Sequence, residues 1–124
     1  MSDIAFTDRE LDVMNVLWDK GSATVSEVKE ALHDELAYTT VLTILRTLEE
    51  KGYISHEEEG RAHRYVPAVE RKKAEKSALS KLMRNLFRGS PELLLTHLVS
   101  DRKLSEEDLK RMRRLIDERL KKGE

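Results

Sequence analysis

The apolar period of this chain changes once, just after Gly52, and that change restricts the available folds more than any other feature. Before it, apolar residues recur at helical spacing in three stretches. Thr7-Asp8-Arg9-Glu10 is a capping box, in which the Thr7 hydroxyl and the Glu10 carboxylate serve free amides at a helix start. Leu11, Met14, Leu17 and Trp18 follow it, so a helix is expected from about Asp8 to Lys20, stopped by Gly21. A second box, Thr24-Val25-Ser26-Glu27, opens a helix with Val25, Val28, Ala31 and Leu32 on one face. After the connection Asp34-Glu35-Leu36-Ala37, a third helix runs to Gly52, its expected C-terminal cap. Beyond it, Tyr53–Glu57 and Arg61–Val66 read as two strands about a Glu58-Glu59-Gly60 turn, with Pro67 ending the second. Three helices and then a two-stranded hairpin is the element order of a winged helix.

The third helix carries an unusual polar face. Val41, Ile44, Leu45 and Leu48 fall on one side at roughly 100° per residue, the side expected to pack on the first two helices. Thr39, Thr43, Arg46 and Glu50 lie opposite, flanked by Thr40 and Thr47 and bordered by Leu42. Threonine loses rotamer freedom in a helix, and a merely solvated face favours Glu, Lys and Gln. A DNA-reading face has a use for it. The hydroxyl bonds a phosphate or base edge, the methyl meets a thymine methyl, and the short stem permits close approach. Arg46 adds a bidentate donor for guanine or a charge for phosphate, and the first two turns hold no carboxylate to repel either. In a helix-turn-helix it is this second helix of the pair that enters the major groove. On the hairpin, Arg61 and Arg64 are the candidate DNA contacts, while Glu57, Glu58 and Glu59 set negative charge near the turn.

The rest of the chain is helical. From about Val69 to Arg88 come Leu79, Leu82, Met83, Leu86 and Phe87. Gly89-Ser90-Pro91 then breaks the chain and restarts it, with Ser as cap and Pro in the first turn. Leu93, Leu94, Leu95, Leu98 and Val99 follow, then Asp101-Arg102-Lys103 and a last helix from Ser105 to about Lys122 with Leu109, Met112, Ile116 and Leu120 in a stripe. Three helices this short cannot bury so many leucines among themselves, and the simplest remedy is a second copy of the same tail. The expected organisation is a winged helix-turn-helix DNA-binding domain over residues 1–69 and a helical dimerisation domain over residues 70–124, mainly α with a small β-hairpin. Leu79, Leu82, Leu86, Leu95, Leu98, Leu109, Met112 and Ile116 are the expected dimer contacts.

Charge needs its distribution to be informative. The formal net charge is -1, yet residues 1–36 hold nine acidic and three basic side chains, and residues 70–84 hold six basic and two acidic. The basic run Arg71-Lys72-Lys73, with Lys76, reads as a solvated helix face. The absence of cysteine removes disulfides, thiolate metal sites and cysteine nucleophiles together. His33, His56, His63 and His97 match no ligand spacing, so no metal or cofactor is expected. There is no phosphate-binding glycine loop, nucleophile elbow or marked carboxylate pair, and enzyme chemistry is not expected. No apolar run approaches a membrane span, and the acidic start MSDIAFTDRE is unlike a signal peptide, so a cytoplasmic protein is expected.

Three segments, TDRELDVMNVLWDKG, LAYTTVLTILRTLEEKGYI and EGRAHRYVPAV, occur in an order that resembles the penicillinase-repressor family (BlaI/MecI type) of bacterial transcriptional repressors. The resemblance spans nearly the whole chain. It implies an N-terminal winged helix, a C-terminal helical dimerisation domain, and a homodimer on a palindromic operator that blocks transcription. It also implies that the recognition helix spans Thr39 to Lys51, with Thr39, Thr40, Thr43, Arg46 and Thr47 as DNA contacts. The chain departs from the family in its signal. Where β-lactam-responsive members carry an Asn-Phe bond cut by a sensor protease, this chain has His97-Leu98, and it lacks the cysteine motif of the copper-responsive relatives. A regulatory protease or sensor is thus left open as a partner, of no known identity. A rival reading is a winged-helix protein-interaction module without sequence-specific DNA binding, for which the modest net charge speaks; steep salt dependence would separate the two.

Overall fold

The computed structural model describes residues 4–33 and 35–123, so Asp34 of the expected connection lies outside the described residues. The elements are α1 Asp8–Lys20, β1 Ala23–Thr24, α2 Val25–Ala31, α3 Tyr38–Glu50, β2 Ile54–Glu59, β3 Ala62–Pro67, α4 Arg71–Asn85, α5 Pro91–Ser100 and α6 Glu106–Lys122. Both expected capping boxes form: Thr7 accepts from the Glu10 amide at 3.1 Å, and Thr24 from the Glu27 amide at 3.2 Å. A third box, Ser105 with Asp108, starts α6. Two details differ from the expected hairpin. The strands pair as far as Glu59 with Ala62, so Glu58 and Glu59 belong to β2 and the turn is Gly60-Arg61, opened by Gly60 at φ 61°. The sheet also has a third strand, with order β1-β3-β2, because Ala23 and Thr24 pair antiparallel with Tyr65 and Arg64.

The chain divides into two compact units, residues 1–79 and 80–124. In the first, Val13, Met14 and Leu17 of α1, Val28 of α2, and Val41, Leu45 and Leu48 of α3 have no exposed surface, and Ile54 and Tyr65 close the core from the sheet. Each such side chain contributes about 1.5–3 kcal/mol by leaving water. An aromatic cluster seals one side: Phe6 meets Tyr53 at 4.9 Å and Trp18 at 6.0 Å between ring centroids, both edge-on. The Trp18 indole N–H donates to the Val69 carbonyl at 2.9 Å, the Arg71 guanidinium sits over its ring, and the Ile4 amide donates to Ser77 Oγ. These contacts hold the first turns of α4 in this unit. The sequence boundary at 69/70 marks where composition changes, whereas compactness divides the chain at 79/80. The second unit has no fully buried side chain among its described residues. Among the described residues, no helix is long and apolar enough to cross a membrane.

Glu10 is the one buried charged residue among those described, 5% exposed. Its carboxylate takes Lys51 Nζ at 2.8 and 3.1 Å and the Thr7 amide at 2.9 Å, which fastens the start of α1 to the end of α3. Burial pushes the Glu10 pKa up, but Lys51 and Thr7 together outweigh it and hold the carboxyl below its ordinary value. A depressed carboxyl stabilises the fold fully above its unfolded pKa, and that contribution is lost as pH falls through the folded one. Glu10→Gln should therefore lower the melting temperature at neutral pH, and the gap from the wild type should close below about pH 4; thermal melts across a pH series measure this.

Candidate nucleic-acid interface

The helical period decides which way α3 faces. With Val41, Leu45 and Leu48 sealed in the core, Thr39, Thr40, Thr43 and Arg46 are exposed, while Thr47, Leu42 and Ile44 are half-buried at the margins. The hydroxyls are already partly engaged. Thr43 Oγ1 donates to the Thr39 carbonyl and Thr47 Oγ1 to the Thr43 carbonyl, each at 2.9 Å. Such back-bonding uses the donor and leaves an acceptor and a methyl group for a ligand. Toward DNA, Thr43 and Thr47 therefore suit an amino group of adenine or cytosine, or a thymine methyl, better than a phosphate oxygen.

The start of α3 differs from other helix starts in the chain. Side chains cap α1, α2, α5 and α6, but Ala37 offers none to α3, and no acidic residue lies in its first turn. Among the described residues, its leading amides, the positive end of the helix dipole, thus have no side-chain cap. Tyr38, the first residue of α3 and 48% exposed, belongs to this surface and went unmarked in the sequence because it precedes the threonine pattern. At the other end, Glu49 is not free to repel DNA as a bare carboxylate, since its Oε2 lies 2.6 Å from His56 Nδ1. The His56 ring stacks on His63 at 4.1 Å between centroids. Burial pushes the Tyr65 phenol pKa up, with Glu49 adding to the shift and Arg46 opposing it. Among the described residues, no three metal-ligating side chains cluster to hold an ion.

The three arginines outside α3 that the sequence brings forward have different surroundings. Arg61 is exposed in the hairpin turn. Arg64 is not available in the same way: its guanidinium donates to Glu27 at 2.9 and 3.2 Å, to Glu59 at 3.0 and 3.1 Å, and to Ser22 Oγ at 3.4 Å. Arg71 leaves the solvated run to meet Asp19 Oδ1 at 2.8 Å and the Trp18 ring. Of the expected dimer residues, Leu79 lies at the end of the first unit and is exposed. In the second unit Leu82, Leu86, Leu95, Leu98 and Ile116 are exposed, and Leu109 and Met112 half-buried.

The family model described as penicillinase repressor matches residues 6–118. The chain belongs to the penicillinase repressor family. The penicillinase repressor of Bacillus licheniformis is 25% identical over 114 residues, which cover 90% of this chain and 89% of that one. The transcriptional regulator BlaI of Mycobacterium tuberculosis strain H37Rv is 44% identical over 63 residues, covering 48% of this chain and 46% of its own. The solution structure of the DNA binding domain of the repressor BlaI aligns with a TM-score of 0.52 at 31% identity, over 58% of this family member and 90% of that domain. A MarR family protein from Bacillus stearothermophilus shares the fold at 16% identity, with a TM-score of 0.53. The penicillinase repressor family is one of DNA-binding regulators rather than enzymes.

Among the described residues, the Thr43 and Thr47 hydroxyls hydrogen-bond within α3 itself, so they contribute little to the fold. Thr43→Val and Thr47→Val should each leave stability within about 0.5 kcal/mol of wild type, as chemical denaturation would read.

Proposed function

We propose that this chain is a transcriptional repressor that binds a palindromic operator as a homodimer, with Thr39–Lys51 laid in the major groove. The observation that carries this reading is the outward face of α3: exposed Thr39, Thr40, Thr43 and Arg46, no carboxylate in the first turn, and leading amides without a side-chain cap. Base edges would be read by Thr43, Arg46 and Thr47, and Thr39, Thr40 and Tyr38 would meet the backbone at the helix start. Arg61, at the tip of the hairpin, would reach a flanking phosphate. The solved DNA binding domain of the repressor BlaI, which this chain matches over most of that domain, supports the same assignment.

The second unit supports the dimer. Leu86, Leu115 and Leu120 are about two-thirds exposed, at 65%, 66% and 66%, and Leu104, Met112 and Leu115 line an open groove beside α6. Faces of this kind are costly to leave in water, and a second copy of the same helices covers them by symmetry. A homodimer also ties the spacing of two half-sites to the protein two-fold axis. As a repressor, the protein works in the cytoplasm.

Selection of bound duplexes from a random DNA pool at fixed salt tests the reading: an enriched inverted repeat supports it, and a folded dimer that enriches nothing favours the protein-interaction module. With the enriched duplex in hand, Arg46→Ala should weaken binding by about 1–3 kcal/mol and relax preference at one position per half-site; equal binding to all duplexes by both proteins would remove Arg46 from the base contacts. Ile116→Asp should shift the protein from dimer toward monomer in sedimentation equilibrium and weaken binding to the full palindrome far more than to a half-site.

A further inference from the structure

The sequence marks Arg64 as a DNA contact, and its surroundings point to another task. It sits on β3 opposite Thr24 of β1, between the amino end of α2 and the far end of β2. Its side chain is 28% exposed, and its contacts to Glu27, Glu59 and Ser22 account for five donated hydrogen bonds, as many as a guanidinium has N–H groups. To contact a phosphate, Arg64 would have to leave two carboxylates, each held in paired geometry through both of its oxygens. Glu27 is itself fixed, because the same Oε1 that takes Arg64 Nη1 also accepts the Thr24 amide at 3.1 Å.

We propose that Arg64 is a positioning residue, which braces the β2–β3 wing against the amino end of α2 and so sets the attitude in which Arg61 meets DNA, without touching DNA itself. The proposal rests on the reading of the first unit as a DNA-binding unit. Among the described residues, the wing has few other anchors of this kind. On its other strand the polar tie to the helices is His56 with Glu49 of α3, while Glu57 and Glu58 are exposed. Arg64 also neutralises Glu59 next to the turn, which lowers the negative charge that Arg61 would otherwise share with its neighbours.

The test compares the full-length wild type with Arg64→Ala, Glu27→Gln, the double variant and Arg61→Ala. Glutamine keeps the capping box at α2 and removes the charged partner, so Glu27→Gln releases the brace without uncapping the helix. Amide hydrogen exchange in the absence of DNA should quicken at Ala62–Val66 in Arg64→Ala and in Glu27→Gln, while Val13, Leu17 and Leu45 stay as protected as in the wild type. On an enriched duplex, Arg64→Ala and Glu27→Gln should each lose about tenfold in affinity, the double variant no more than Arg64→Ala alone. The slope of log affinity against log salt should be unchanged by either, whereas Arg61→Ala should reduce it by about 0.9. Unchanged exchange at the wing overturns the proposal, and so does a slope lowered by Arg64→Ala with Glu27→Gln silent, the signature of a phosphate ligand. If the wild type enriches no duplex, the repressor reading fails by itself, and the exchange comparison alone then upholds or overturns the brace.

Discussion

The seating of Val41, Leu45 and Leu48 in the core is the constraint from which the rest of the first unit follows. Three side chains without exposed surface, each about one turn from the next, leave α3 a single rotation about its axis, and the threonines and Arg46 then have one direction to face. Truncation of Leu45 or Leu48 to Ala opens a cavity at a cost of about 2–5 kcal/mol. Burial fixes rotation but not the slide of a helix along its neighbours. That is the part taken by Glu10 and Lys51, which join the first turn of α1 to the residue that ends α3. The pair is one-sided, with Glu10 buried and Lys51 partly in water, so only one of the two charges bears a large desolvation cost.

Around this fixed helix the charged residues divide into two groups. Arg64 and Arg71 are spent inside the first unit, one bracing the wing and the other tying α4 to α1 beside Trp18. Arg46 and Arg61 remain at the surface where α3 and the turn face outward. This division bears on affinity. A protein with a net charge of -1 gains little from long-range attraction to DNA, and the few cations placed well must serve register as well as attraction. Back-bonded threonines suit the same economy, since an acceptor and a methyl discriminate among bases while adding no charge.

What the sequence made legible, and what it hid, follows from the range of the interactions involved. The outward face of α3, both early capping boxes and the switch to strands after Gly52 are local patterns, repeated every two to four residues, and a single chain displays them openly. Strand β1 was invisible because two residues, Ala23 and Thr24, are too few to show alternation. The partners of Arg64 are hidden for the same reason: Glu27 lies 37 residues away, and the β1–β3 pairing brings the two together. Arg71 looked like one of a row of solvated cations, although Asp19 and Trp18, about fifty residues earlier, hold it. The division at 79/80 was hidden likewise, since nothing in the composition of α4 tells that Ala74 is buried and Ser77 bonded to the N-terminal segment. Tyr38 precedes the threonine spacing, so that pattern does not mark it.

On this reading of the chain, one face of α3 meets the bases and the remainder of the first unit holds it in place. Two-dimensional amide NMR of the full chain, titrated with an enriched duplex, addresses it directly. The largest shifts are expected at Tyr38–Thr47, with smaller ones at Gly60 and Arg61 and little change along the exposed acidic side of α1. Shifts concentrated on α1 or the glutamates of β2, with Thr39–Thr47 unmoved, would contradict it.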